Sequence, residues 1–460
     1  MIYIGIDLGT TSLCCTAVEG ADWRIKKIKT CPNDAHIDTK EAWDKKQNAD
    51  TIYAAAKNLI DSVFAEYDGK IGAIAISTQM HGIVYIDKSG NALSPLYTWQ
   101  YHRSALKCEK TGMPYYKELE QKLGKNCPPG YGLATHYTLR SCGEIPAHAH
   151  KICSIGDYVA MKLAGNKEPV SDITLAESFG AVFLGEKNYN YAKLRSAGID
   201  PVLLPDTVES DSIIGTYRNV PVVTAIGDNQ ASFLGAITDL HSNAVISLGT
   251  SGQITCYSEK PVHIEGVETR PFPKKGYILS GASLCGGYAY ALLKRFFSET
   301  IKWLCGKETE ENCNVYKKLD EINPLGIPNI PAIKTSFCGT RTAPDAKALI
   351  EGIDEYNFLP QNITAGLVLG IINELKDFFN LFPQDIRTNI VQLYGSGSFF
   401  NKHPFVQNCC EKLFGLPVQK TPRDEEGAFG AAINAGMALG DFSDYNQAVQ
   451  KIKALNDDGK

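Results

Sequence analysis

Residues 2–8, IYIGIDL, form an apolar run that stops at the polar tip GTTS, and a second apolar run follows at 13–18. Two short apolar runs around a glycine-containing tip predict a pair of strands joined as a hairpin. The outline returns far along the chain, with a run at 244–248, the tip GTSG, and a second run at 253–257. A strand–tip–strand unit repeated at that distance predicts two domains of similar design, 1–240 and 241–460, facing each other across a cleft.

Between the repeats, helix and strand patterns alternate. Residues 48–67 carry Ile52, Ala56, Leu59, Ile60, Val63 and Phe64 on one helical face. Residues 71–77 read as a buried strand ending in TQMHG, and 220–226 as another ending in GDNQAS. Further helices are expected at 287–304 and 362–379. A strand at 390–394 leads into GSGSFFNKHP and a helix that Gly415 closes. The stretch 307–331, acidic and then proline-rich, is expected to be an irregular surface excursion. The pattern is α/β with buried strands, and its polar motifs stand at strand ends, where such folds place ligands.

Charge and cysteine usage narrow the partners. The 460 residues carry 46 basic and 51 acidic side chains, a net charge of −5. That balance gives no support to a nucleic-acid or membrane-surface partner, so an anionic ligand would need a metal ion or backbone amides. The 14 cysteines include no C-x-x-C spacing and are expected as free thiols in a reducing cytoplasm. The amino-terminal run meets Asp7 almost at once and reads as a strand rather than a leader, and no apolar run is long enough to span a membrane.

The tips carry the first candidate chemistry. Backbone amides together with Thr10, Thr11 and Ser12 would make a cradle for phosphate oxygens, and Gly249, Thr250 and Ser251 would make a second. Either alone reads equally as an ordinary turn, but two matched copies point to a phosphate chain gripped from both sides. No G-x-x-x-x-G-K-[ST] is present. The aspartate of the first copy, Asp7, becomes Ser247 in the second. One Mg²⁺ on a nucleotide needs one or two carboxylates, so Asp7 is the candidate metal-side group and Ser247 its neutral counterpart.

Asp228 follows a strand at the expected start of a helix. It reads either as an N-cap or as a general base toward a substrate hydroxyl. Gln79 and His81 could bind hydroxyls, and Trp99 beside Gln100 and Arg103 is a mixture suited to sugars, although each also has an ordinary structural reading. Gly395 and Gly397 would let a flat ring lie against the backbone, with Asn401 pairing to its edge.

Taken together and in this order, these motifs resemble the FGGY family of carbohydrate kinases, of the actin, hexokinase and heat-shock chaperone superfold. The resemblance implies two duplicated ribonuclease H-like domains, the first carrying the sugar site and the second the adenosine site. It implies ATP as phosphoryl donor, Mg²⁺ near Asp7, and Asp228 as the catalytic base. It implies Gln79, Met80, His81, Trp99, Arg103, Asp228 and Asn229 at the sugar, and Gly395, Gly397 and Asn401 at the adenosine. The run 337–346 is similar to the family's glycine–arginine–proline stretch. QMHG at 79–82 is similar to the sedoheptulokinase and xylulokinase branches, which implies a ketose substrate, with ribulose, a polyol or a nucleotide-gated binding protein of the actin and chaperone superfold as alternatives and a homodimer as the assembly allowed for. Two departures stand out: Tyr101 replaces the aspartate usual in the tryptophan–arginine segment, and the stretch from Thr138 to Asp157 is short.

Overall fold

A computed structural model describes residues 1–457 other than 342 and 344. The first sheet contains β1 (Ile2–Leu8), β2 (Ser12–Glu19), β3 (Arg24–Pro32), β4 (Ile71–Thr78), β5 (Ile213–Tyr217), β6 (Val220–Val223) and β7 (Ile226–Gly227). Their order is β5-β6-β4-β1-β2-β3, with β7 continuing beside β4. The second sheet contains β8 (Asn243–Leu248), β9 (Gly252–Ser258), β10 (Val267–Pro271), β11 (Tyr277–Ser283), β12 (Gln392–Ser396) and β13 (Val418–Lys420), in the order β10-β11-β9-β8-β12-β13.

The two sheets share a plan. In each, the repeat's first strand pairs antiparallel with its hairpin mate and parallel with a later strand, β4 beside β1 and β12 beside β8. These central strands are covered on both faces, so they read as continuous apolar runs rather than as alternation.

The helices that matter are α1 (Ala49–Tyr67), α2 (Ile173–Ser178), α3 (Asp228–Ala236), α4 (Gly287–Cys305), α5 (Pro360–Leu381), α6 (Ser398–Lys402), α7 (Phe405–Phe414) and α8 (Glu426–Ala438). The Asn48 side chain caps α1 by accepting from the Thr51 amide at 2.9 Å, and Ile52, Ala56, Ile60, Val63 and Phe64 are buried against the sheet. α5 packs on β9 and β11 in the equivalent place. Gly415 ends α7 in the left-handed region, φ 68°.

Three expectations change. The strand expected at 220–226 is broken into β6 and β7, because the Thr224 amide and hydroxyl both turn to the Ser212 carbonyl at 3.0 Å. The strand expected from 390 begins at Gln392, since the Val391 and Gln392 amides both donate to the Ser242 carbonyl. The segment 307–331 is not wholly irregular. It forms helices Lys307–Asn312 and Val315–Asp320, the second capped by Asn314 and seated on buried Val315 and Leu319.

α8 comes from the end of the chain but packs on β1, β4 and α3 of the first half. The seam is closed by absent side chains. A Cβ on Gly5 would lie 1.8 Å from the Ala428 carbonyl oxygen, and one on Gly430 1.9 Å from that of Ala231. A shared core, including Tyr3, Trp23, Phe233, Tyr394 and Phe429, therefore spans both sheets and sets how they face.

Candidate active site

Where the sheets face each other lies a cavity of about 350 Å³, lined by Asp7, Asp228, Ser247, Ser396, Gly397 and Glu426, among others. Asp7 stands at the end of β1 and Asp228 is the first residue of α3. The N-cap of α3 is Gly227, and the Asp228 carboxylate, one position further on, accepts from the Asn229 backbone amide in the first turn. The carboxylate also lines the cavity. It accepts from Asn229 Nδ2 at 3.1 Å, and that amide lies 3.5 Å from Met80 Sδ. Gln253, which the sequence reading missed, donates to Asn229 Oδ1 at 3.3 Å.

Burial and then the neighbouring Asp7 charge push Asp228 up to about 7, with buried Arg270 pulling the other way. Burial also raises Asp7, opposed by the Ser77 hydroxyl, which donates to Asp7 Oδ1 at 2.5 Å; the Glu425 charge raises it further. Asp7 and Ser77 are partners across the parallel ladder, and Ser247 and Ser396 occupy the matching positions in the second sheet. The acid–serine pair of the first half is thus a serine–serine pair in the second.

The first tip is tied to the expected sugar motifs. Trp99 Nε1 donates to Thr10 Oγ1 at 3.0 Å, Thr10 Oγ1 donates to Gln79 Oε1 at 3.4 Å, and Gln79 Nε2 donates to Gln47 Oε1 at 3.0 Å. Gln47 Nε2 returns to the Thr10 carbonyl at 2.8 Å, and Asn33 braces the Gly9 carbonyl at 2.9 Å. Thr11 and Ser12 are exposed, as is Trp99 at 42%. Gln47 and Asn33 lie in unremarkable sequence, and nothing local marks them.

His81 sits in the left-handed region, φ 72°, stacked on Tyr131 with ring centroids 4.3 Å apart. Its Nδ1 lies 2.8 Å from the Ser178 carbonyl, which accepts only, so Nδ1 carries the hydrogen. Burial and the Arg270 charge lower its pKa to about 3, leaving a neutral ring whose Nε2 is an acceptor. Arg103 is committed elsewhere, in a bidentate pair with Glu144 at 2.5 and 2.7 Å. Tyr101 is buried against Trp43 and Tyr97. Position 101 is therefore a core position here, and an aspartate in its place would meet aromatic rings.

The second tip is braced by glycines. The Gly287 amide donates to the Gly249 carbonyl at 2.8 Å, and the Gly286 and Tyr288 amides donate to that of Thr250 at 3.0 and 3.1 Å. A Cβ on Gly286 would lie 2.5 Å from Ser251 backbone atoms, and one on Gly397, φ 92°, 2.5 Å from the Leu248 carbonyl oxygen. Thr250 and Ser251 are exposed. Gly395 packs under the Phe400 ring, and Asn401 is exposed on α6. Within 337–346, residues 342 and 344 lie outside the described residues, while Arg341 pairs with Glu268.

The two-sheet α/β fold with matched tips and an acidic cleft between them agrees with the architecture that the family resemblance implies. The N-terminal domain of the FGGY family of carbohydrate kinases matches residues 2–235, and its C-terminal domain matches residues 244–439. The chain belongs to this family, whose members are phosphotransferases with an alcohol group as acceptor. It is similar to a sedoheptulokinase of Mus musculus, 26% identical over 94% of this chain and 96% of that protein. It is similar to a xylulose kinase of Staphylococcus xylosus, 23% identical over 96% and 92%. Its fold matches the crystal structure of a xylulose kinase from Brucella ovis, with a TM-score of 0.81 at 19% identity, covering 100% and 99% of the two chains.

Proposed function

We propose that the protein phosphorylates a ketose of the sedoheptulose or xylulose class with ATP, using Asp228 as general base. The observation that carries this reading is one cavity holding Asp228, poised near neutral pH, opposite Asp7 and beside the neutral Ser247–Ser396 pair. A base with a pKa near the working pH combines sufficient ionised population with sufficient basicity. Asp228 takes the proton of the attacking hydroxyl as that oxygen bonds to the γ-phosphorus, and the leaving group departs as ADP.

Asp7 fits a Mg²⁺ ion shared with a nucleotide. It offers one carboxylate, already oriented by Ser77, and among the described residues no cluster of three or more potential ligands forms a metal site by itself. When bound, such an ion neutralises developing phosphate charge. The backbone and hydroxyls of Thr10, Thr11, Ser12, Gly249, Thr250 and Ser251 hold the phosphates, and the Gly395–Gly397 backbone and Asn401 hold the adenosine. Gln79, Met80, His81, Trp99 and Asn229 surround the sugar, with His81 Nε2 accepting a hydroxyl hydrogen. Arg103, paired with Glu144, holds its segment in place. Residues 1–240 carry the sugar side and 241–460 the adenosine side. The reading places the enzyme in the cytoplasm; all fourteen cysteines are free thiols, and no described helix is long and apolar enough to cross a membrane.

The test is ADP release with ATP and a panel of sedoheptulose, xylulose, ribulose, glycerol and other polyols. Turnover greatest on sedoheptulose or xylulose supports the reading. Turnover on ribulose or a polyol alone replaces the substrate, and none on any acceptor removes the kinase assignment of the cavity.

A further inference from the structure

Arg270 lies on β10, at the edge of the second sheet, yet that strand packs against α2 of the first half. α2 carries Ser178, whose hydroxyl and carbonyl hold His81. The next residue, Pro271, accepts from Gln230 Nε2 at 2.9 Å, two positions beyond Asp228. β10 is thus pinned to both elements that border the sugar side of the cleft.

Arg270 is 7% exposed. Its Nη2 pairs with one oxygen of Glu268, while its buried Nε–H has no partner among the described residues. The other oxygen of Glu268 pairs with Arg341. Two guanidiniums on one carboxylate leave a positive charge, and that of Arg270 reaches His81, Tyr131, Glu177 and Asp228. Buried donors are nearly always satisfied, so an unmet donor on a guanidinium already fixed by its other end points to an acceptor supplied by a ligand.

Resting on the sugar-kinase reading above, we infer that Arg270 is a sugar-specificity residue, its free Nε–H donating to a hydroxyl oxygen of the bound sugar while Glu268 fixes the guanidinium. The sugar is then held by both halves of the chain, and its binding favours the closed cleft.

The test uses Arg270→Gln and Arg270→Lys in the full chain, with ATP and the best ketose from the panel. Loss of a hydrogen bond to a charged donor should raise the sugar KM about 10- to 100-fold, with the ATP KM held within about twofold. Lysine should not rescue it, because it lacks the planar fork. A set of monodeoxy ketoses identifies the contact: the analogue lacking the contacted hydroxyl is poor with wild type but equals the parent sugar with Arg270→Gln. Thermal midpoints and the ATP KM report folding; should the glutamine variant not fold, the lysine variant decides by the same criteria. Wild-type sugar KM in a folded variant, or equal losses on every deoxy sugar in variant and wild type, overturns the inference. If the wild-type chain phosphorylates a polyol and no ketose, the ketose reading fails and Arg270 is judged on that polyol. If ketoses are phosphorylated and the variants keep their sugar KM, Arg270 fails alone.

Discussion

The tip at residues 9–12 and the tip at 249–251 have nearly the same letters, yet they are built into the molecule differently. The first hairpin closes at the Leu8–Leu13 pair, the second at Leu248–Gly252, so the second tip is one residue shorter. Polar side chains hold the first: Gln47, Gln79, Trp99 and Asn33 connect it to the expected sugar motifs. Backbone held close by Gly286, Gly287 and Gly397 supports the second. The first also carries the charge, Asp7, where the second has Ser247. A duplicated fold supplies two cradles, but one phosphate chain with one cation needs asymmetry between them. On the proposed function, the metal and the sugar lie on the first tip's side and the second tip binds phosphate by shape.

Breaking the charge asymmetry should have the largest effect. Asp7→Asn should lower kcat about 100-fold or more, since neutralising transferred phosphate is worth several kcal/mol. Ser247→Ala should stay within about tenfold, losing one neutral hydrogen bond. The Mg²⁺ dependence of turnover checks both, and equal losses would erase the distinction between the tips.

Breaking the backbone support comes next. Gly397→Ala places a methyl 2.5 Å from the Leu248 carbonyl oxygen in a left-handed conformation, which should raise the ATP KM about tenfold and lower the thermal midpoint. Sugar affinity measured by titration should hold.

A smaller loss is expected for Gln79→Ala, which removes the side-chain link from Thr10 to Gln47 and leaves the Gln47 bond to the Thr10 carbonyl. The sugar KM should rise about fivefold, as for one hydrogen bond of about 1 kcal/mol, with the ATP KM unchanged.

The mildest test is pH. Asp228 must be ionised to accept a proton, so kcat/KM should fall below an apparent pKa near 7. Its folded pKa lies above its unfolded value, so the folded state binds the proton more tightly and the charged form costs stability as pH rises through 7. Asp228→Asn should therefore raise the thermal midpoint by a few degrees at pH 8, with the gain fading toward pH 4. A variant less stable at pH 8 would show that the carboxylate is held by contacts and not strained by burial.

Much of this was legible in sequence where polarity changed sharply. β1, β4 and β8 announce themselves as apolar runs ended by polar motifs, and the ends of those runs give Asp7, Gln79 and Ser247. The break of β6 from β7 was not legible, because it depends on Thr224 finding the Ser212 carbonyl. α8 was hidden for the opposite reason. It is buried from Gly427 through Met437, so its hydrophobicity has no contrast from face to face and no period to read. Gln47, Asn33 and Arg270 owe their places to partners distant in sequence, and Tyr101 shows the converse, a motif position that packing turned into core.

The most direct measurement is the steady-state kinetics of Asp228→Asn, with ATP and the best sugar of the panel, against wild type. Removal of a general base should lower kcat by about 10²–10⁴, with the ATP KM and the sugar dissociation constant close to wild type. Sugar phosphorylation at near wild-type speed would contradict the account, leaving Asp228 a bystander in the cleft.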